Sequence, residues 1–176
     1  MTKFVSVIGN GESRRGFDIT PLKSATTMVG CNALFRDHNL EYVVCADRHM
    51  CQEAANTVGK NTTIYTRDKW YKQFAFWPNV KCVPDLPYQG DKRQDDPFHW
   101  GTGQFAALVG TSFKPKAIFL VGMDLYGFGS ERIPEMSTIS TRAQQDTRIS
   151  RDLLIPVIGY TSLTNFSNIQ SADGSW

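Results

Sequence analysis

Gly9-Asn10-Gly11, with Ser13 close behind, follows directly on the apolar run Phe4–Ile8. A buried parallel strand that breaks into glycines exposes backbone N–H groups at its carboxyl edge, where open α/β sheets bind ligands. Phosphates are held at such edges by N–H groups and helix N-termini. The carboxamide of Asn10 adds a neutral donor and acceptor, suited to a base, a ribose or a phosphate oxygen. The dinucleotide fingerprint is not met: Arg14 stands where its third glycine belongs, and no acidic residue ends the next strand at ribose distance. Without a ligand the same residues read as a glycine turn between strand and coil.

Four other positions repeat this signal. Asn32, Asp47 and Gly122-Met123-Asp124 each follow an apolar run, and Gly101-Thr102-Gly103 opens a helical stretch. In a parallel sheet the ends of all strands lie on one edge, so these groups would converge. Each has a plainer use: Asn32 and Thr102 could cap helices, and Asp124 could orient a turn. Cys45, Asp47, His49 and Cys51 alternate, and on one continuous strand all four would face the same way as metal ligands. Residues 48–60 read as a helix, which breaks that alternation, so no metal site is expected.

The elements that must position these groups are strand-length apolar runs at 4–8, 26–31, 42–46, 62–66, 80–83, 117–121 and 155–160. Several are solidly apolar, as in strands covered on both faces. Residues 32–38 and 50–58 read as short helices. The clearest helix is 99–113, with Phe105, Leu108 and Val109 on one face, Ala106-Ala107 small enough for close packing, and Pro115 as a stop. Strands alternating with helices predict an α/β, Rossmann-like fold: a mainly parallel sheet flanked by helices, with Phe4–Ile8 and Ala117–Val121 central. The proline- and charge-rich stretch 84–97 and the glycine-led stretch 127–141 interrupt the rhythm. Trp70, Tyr71, Phe74, Phe76 and Trp77 crowd into eight residues, as a core corner or as a partner surface.

The 176 residues suit a single domain spanning 1–176, with at most a small lid. A 41% hydrophobic and 20% charged composition is that of a soluble globular protein, and a net charge of +2 without basic runs argues against nucleic acid. No run approaches the length of a membrane span, and Lys3–Ile8 is too short for a signal sequence. Cys31, Cys45, Cys51 and Cys82 lack C-x-x-C spacing and read as reduced thiols of a cytoplasmic protein.

The residues at the predicted edge also carry a resemblance. Gly9-Asn10-Gly11-Glu12-Ser13, Asp18, Leu22 and Cys31-Asn32 resemble the opening of the small bacterial CMP-sialic-acid-dependent sialyltransferases. Gly101-Thr102-Gly103 and the run from Ala117 to Tyr126 are similar to that family's second half, and more distantly the pterin diphosphokinase-like proteins share the opening and general fold. The resemblance implies a nucleotide site formed by Gly9, Asn10, Gly11, Ser13, Asn32, Gly101, Thr102, Gly103 and Asp124. Asn10 and Asn32 would hold ribose and phosphate. Tyr126 would donate to the phosphate leaving group of a CMP-type nucleotide-sugar donor, with no metal cofactor required. The pattern is also broken. Glu12 replaces the family's proline and brings a negative charge to the phosphate site. The family's lid histidine has no counterpart after His99, and the lid is short or vestigial. Glu131 and Glu135 are the substitutes for the missing base nearest the site, with His99 able to approach from the other side. The expectation is therefore a glycosyltransferase-like protein with weak or lost transfer. Two alternatives stand beside it: a pyrophosphokinase-like enzyme acting on a small heterocycle, with Asp47 and Asp124 as Mg²⁺ ligands, and a non-catalytic Rossmann-like binding or assembly module.

Overall fold

The computed structural model of the chain describes residues 4–11, 14–85 and 100–123, and the backbone of 157–160. Its strands are β1 (Phe4–Ile8), β2 (Thr27–Cys31), β3 (Tyr42–Val44), β4 (Thr63–Thr66), β5 (Val80–Cys82), β6 (Ala117–Val121) and β7 (Val157–Tyr160). They form one sheet of order β5-β4-β3-β2-β1-β6-β7. Every pairing is parallel. The expected α/β Rossmann-like architecture is therefore present. β1 lies inside the sheet, in register with β2 from Val5↔Thr27 and with β6 from Phe4↔Ala117. The strand order reverses between β1 and β6, which makes that junction the topological switch point.

Solid apolar runs become central strands because both faces are covered. Val5, Val7, Val29, Val44, Ile118 and Leu120 pack on one face with helix α4 (Thr102–Ser112). Ile8, Met28, Val43, Ile64 and Val80 pack on the other with α2 (Arg48–Thr57), α3 (Asp68–Phe74) and the 3₁₀ segment Asn32–Arg36. Each such side chain taken from water stabilises the fold by roughly 1.5–3 kcal/mol. Helix α4 is buried from Gln104 to Thr111, so it has no solvated face along that length. Gly110 brings it close to β1: a Cβ there would sit 3.1 Å from Val5 Cγ1. The helix ends as Lys114 enters the left-handed region (φ 52°), and Pro115 prevents its continuation.

The observed elements are shorter than the sequence pattern suggests. The run 42–46 pairs only to Val44, and 99–113 becomes helical only from Thr102. Two helices carry no such pattern. Helix α1 (Thr20–Ala25) has six residues and buries none, so it leaves no periodicity to read. Helix α3 lies within the aromatic cluster. Phe74 is buried there, and Trp70, Tyr71 and Trp77 pack partly against the core; Phe76 alone of the five is largely exposed, at 75%. The cluster is thus mainly a core corner. Among the described residues no helix is long and apolar enough to cross a membrane.

Candidate functional site at the carboxyl edge of the sheet

At the switch point the loops after β1 and β6 are joined by backbone hydrogen bonds. Gly9 N–H donates to Val121 O at 2.8 Å and Gly11 N–H to Gly122 O at 2.9 Å. Two of the N–H groups that the sequence left open to a ligand are therefore engaged within the fold. The small residues are accounted for in the same way. A Cβ on Gly9 would lie 2.4 Å from Gly122 O, and one on Gly103 would lie 3.0 Å from Met123 Sδ. Met123 thus packs between the β1 loop and the first turn of α4. Gly122 adopts φ +65°, a conformation that glycine reaches without strain.

Asn10, Asn32 and Thr102 are brought together. Asn10 Nδ2 donates to Cys31 O at 2.8 Å, tying the end of β1 to the end of β2. The next residue, Asn32, has φ 45°, a left-handed conformation that asparagine tolerates better than most residues. Its Oδ1 accepts from Thr102 Oγ1 at 3.1 Å, across to the start of α4. Neither residue caps a helix through its side chain: Gly101 is the N-cap of α4, and Cys31 precedes the 3₁₀ segment. The N–H groups of Thr102, Gly103 and Gln104 open α4 ahead of its first intrahelical bond, from Phe105 N–H to Gly101 O. Asn10 is exposed, while Asn32, Gly101, Thr102 and Gly103 are half-buried.

Two cations at this edge escaped the sequence pattern. Arg14 Nε donates to Gly9 O at 2.9 Å, and Arg14 Nη2 donates to Asn10 Oδ1 at 3.3 Å. Arg67, just past β4, is buried; it donates to Ala46 O and Trp100 O and lies 5.1 Å over the Phe105 ring. Burial pulls the pKa of Arg67 down, and the nearby Asp47 opposes that shift. A lone arginine inside a charged stretch such as Thr66-Arg67-Asp68-Lys69 reads as solvated, so only a strand ending at Thr66 could have flagged it.

The alternating Cys45, Asp47, His49 and Cys51 do not share a face. β3 stops at Val44, α2 starts at Arg48, both cysteines are buried and His49 is exposed. Burial pushes the Cys45 thiol well above its ordinary value, with Cys51 and Cys31 adding to the shift. Ser13, His99, Asp124, Tyr126, Glu131 and Glu135 lie outside the described residues, as do the lid and most of the stretch 84–97.

An all-parallel, Rossmann-like sheet with polar side chains gathered at its switch point defines the class. No family model matches the chain, and no curated protein matches it in sequence. Solved structures of similar fold include the sialyltransferase CstII from Campylobacter jejuni in two complexes. The complex with the substrate analogue CMP-3FNeuAc aligns with TM-score 0.62 and 17% identity, covering 94% of this chain and 85% of that one. The complex with cytidine-5'-monophosphate aligns with TM-score 0.61 and 15% identity, covering 99% of this chain and 88% of that one. The sialyltransferase-like fold read from the sequence is therefore present.

Proposed function

We propose that the chain is a glycosyltransferase-like protein that binds a CMP-type nucleotide or nucleotide sugar at the switch point and has weak or no sialyl transfer. The observation that carries this reading is the hydrogen-bonded row from Asn10 through Cys31 and Asn32 to Thr102, on the carboxyl edge of a fold shared with a CMP-binding enzyme. The row keeps binding capacity. Asn32 retains both Nδ2 protons and Asn10 one, enough for ribose hydroxyls or a pyrimidine edge. Gly101, Thr102 and Gly103 present the α4 N-terminus, where an anionic group is favoured by unpaired N–H groups and the helix dipole. Gly9, Gly11, Ser13 and Asp124 complete the proposed nucleotide site.

For transfer, Tyr126 would stabilise the departing phosphate, and Glu131, Glu135 or His99 would have to deprotonate the acceptor hydroxyl. A positioned general base contributes about 10²–10⁴-fold, and ordinary carboxylates with pKa near 4 are poor bases for a sugar hydroxyl. Slow donor hydrolysis, not efficient transfer, follows. Thermal-shift measurements with CMP, CMP-sialic acid, UDP, ADP and ATP, with and without Mg²⁺, test the binding. Stabilisation by the cytidine compounds without Mg²⁺ is expected. Metal-dependent stabilisation by ATP would instead favour pyrophosphoryl transfer, and no response to any nucleotide would leave a non-catalytic module. Incubation with CMP-sialic acid and galactosides tests the chemistry: rapid transfer lost in Glu131→Gln, Glu135→Gln or His99→Ala would overturn the weak-transfer reading and identify the base.

A further inference from the structure

Arg14 occupies the position that denies this chain the dinucleotide fingerprint, and the structure gives that residue a definite place. Its side chain begins against the β6 exit, where a Cβ on Gly122 would lie 2.9 Å from Arg14 Cβ. Gly122 is therefore needed both for its own φ of +65° and for room beside the arginine. From there the guanidinium reaches back over the switch point to Gly9 O and Asn10 Oδ1. Both partners are neutral oxygens, and no carboxylate among the described residues forms an ion pair with Arg14.

We infer that Arg14 is the cation that receives the phosphate of the ligand and makes the site prefer a nucleotide to its nucleoside. The inference rests on the nucleotide-binding reading above. A guanidinium carries five N–H donors in a fixed plane, and the two observed bonds leave the rest of the fork for an oxyanion. The side chain is half-buried and held by the carbonyl of Gly9, so little of its rotamer freedom remains to be lost on binding. Its bond to Asn10 Oδ1 also fixes the amide, turning Nδ2 toward Cys31 O and the polar row. Charge, fork geometry and location at the β1/β6 crevice thus coincide in one residue. An arginine serving only as a brace for the loop would affect every ligand equally; one that binds phosphate affects only ligands that carry it.

Titration calorimetry with CMP and with cytidine separates these roles. The unaltered protein is expected to bind CMP more tightly than cytidine. Arg14→Gln, which keeps a donor but not the charge, is expected to weaken CMP by about tenfold or more while leaving cytidine within about twofold, the loss of one charge-assisted hydrogen bond. Arg14→Lys should recover part of the CMP affinity, because it restores charge without the fork. A measurement on the unaltered protein guards against misfolded variants: CMP, but not cytidine, should protect Arg14 from phenylglyoxal, read by mass spectrometry of the peptide. Equal affinity for CMP and cytidine, equal losses for both in Arg14→Gln, or no selective protection would each overturn the role of Arg14 while leaving nucleoside recognition standing. Binding of neither compound would overturn the nucleotide reading itself and this inference with it.

Discussion

Gly9 and Gly103 both lack a side chain for reasons of packing, but what they face differs in stiffness. A methyl on Gly9 meets the backbone carbonyl of Gly122 at 2.4 Å, which cannot yield without opening the β1–β6 junction. A methyl on Gly103 meets the thioether of Met123, which can change rotamer. Gly9→Ala is expected to cost about 1–3 kcal/mol by urea unfolding, and Gly103→Ala clearly less. Asn32 allows a cleaner separation of fold from ligand. Its left-handed backbone makes Asn32→Ala costly to stability by about 1 kcal/mol, whereas Asn32→Gly accepts that conformation. Both lose the carboxamide and its bond from Thr102, so both should weaken CMP binding by about 1–2 kcal/mol in calorimetry, with the alanine variant lowering stability further through its strained backbone. Equal CMP affinity in Asn32→Gly and the unaltered chain would remove Asn32 from the proposed site.

Helix α4 was legible because its signals agree: an apolar run, small residues where it crosses β1, and a proline beyond its end. Its anchoring was not. Arg67, thirty-odd residues earlier, holds Ala46 O and Trp100 O, joining the ends of β3 and β4 to the residues that open α4. Such a brace depends on three distant segments meeting, and no local pattern encodes it. The same limit applies at the site. The sequence placed Asn10, Asn32 and Thr102 on one edge through the parallel topology alone. That Asn32 would bond Thr102, and that glycine N–H groups would bond Gly122 and Val121, depended on the relative heights of neighbouring strand ends. Helices α1 and α3 were missed because one has no buried face and the other lies in an aromatic run without helical contrast. Arg67→Met should destabilise the fold by about 1.5–3 kcal/mol, since it strips charged donors from two carbonyls. Hydrogen exchange should show faster opening at the first turn of α4 than at β1; uniform protection would mean that α4 is anchored without Arg67.

Across the molecule, three thiols are sealed inside the sheet layers: Cys31, Cys45 and Cys51 are each less than 5% exposed. Burial raises the Cys45 and Cys51 thiols above their ordinary value of 9.0, and raises the half-buried Cys82 as well. A thiol whose pKa is higher in the folded state favours folding fully below its unfolded value. That contribution is lost as pH rises through the folded value, because only the unfolded chain ionises readily. Urea stability should therefore decline above about pH 9. At pH 8 a thiol reagent should modify the native protein slowly and all four cysteines promptly once it is unfolded.

The place of β1 within the sheet also sets an order of events during synthesis. β2 follows at Thr27, after helix α1, but β6, its other neighbour, begins only at Ala117. Until that segment leaves the ribosome, one edge of β1 has unpaired backbone groups between two apolar faces, the arrangement that recruits foreign strands. Joining β6 to β1 requires a contact between residues 4 and 117, so this step of folding is non-local and slow beside helix formation. A chain truncated before Pro115 should therefore aggregate through β1. A synthetic peptide of residues 115–123, added during refolding, should suppress that aggregation by occupying the vacant edge. If the truncated chain stayed monomeric in light scattering without the peptide, β1 would have to be shielded by something other than its partner strand.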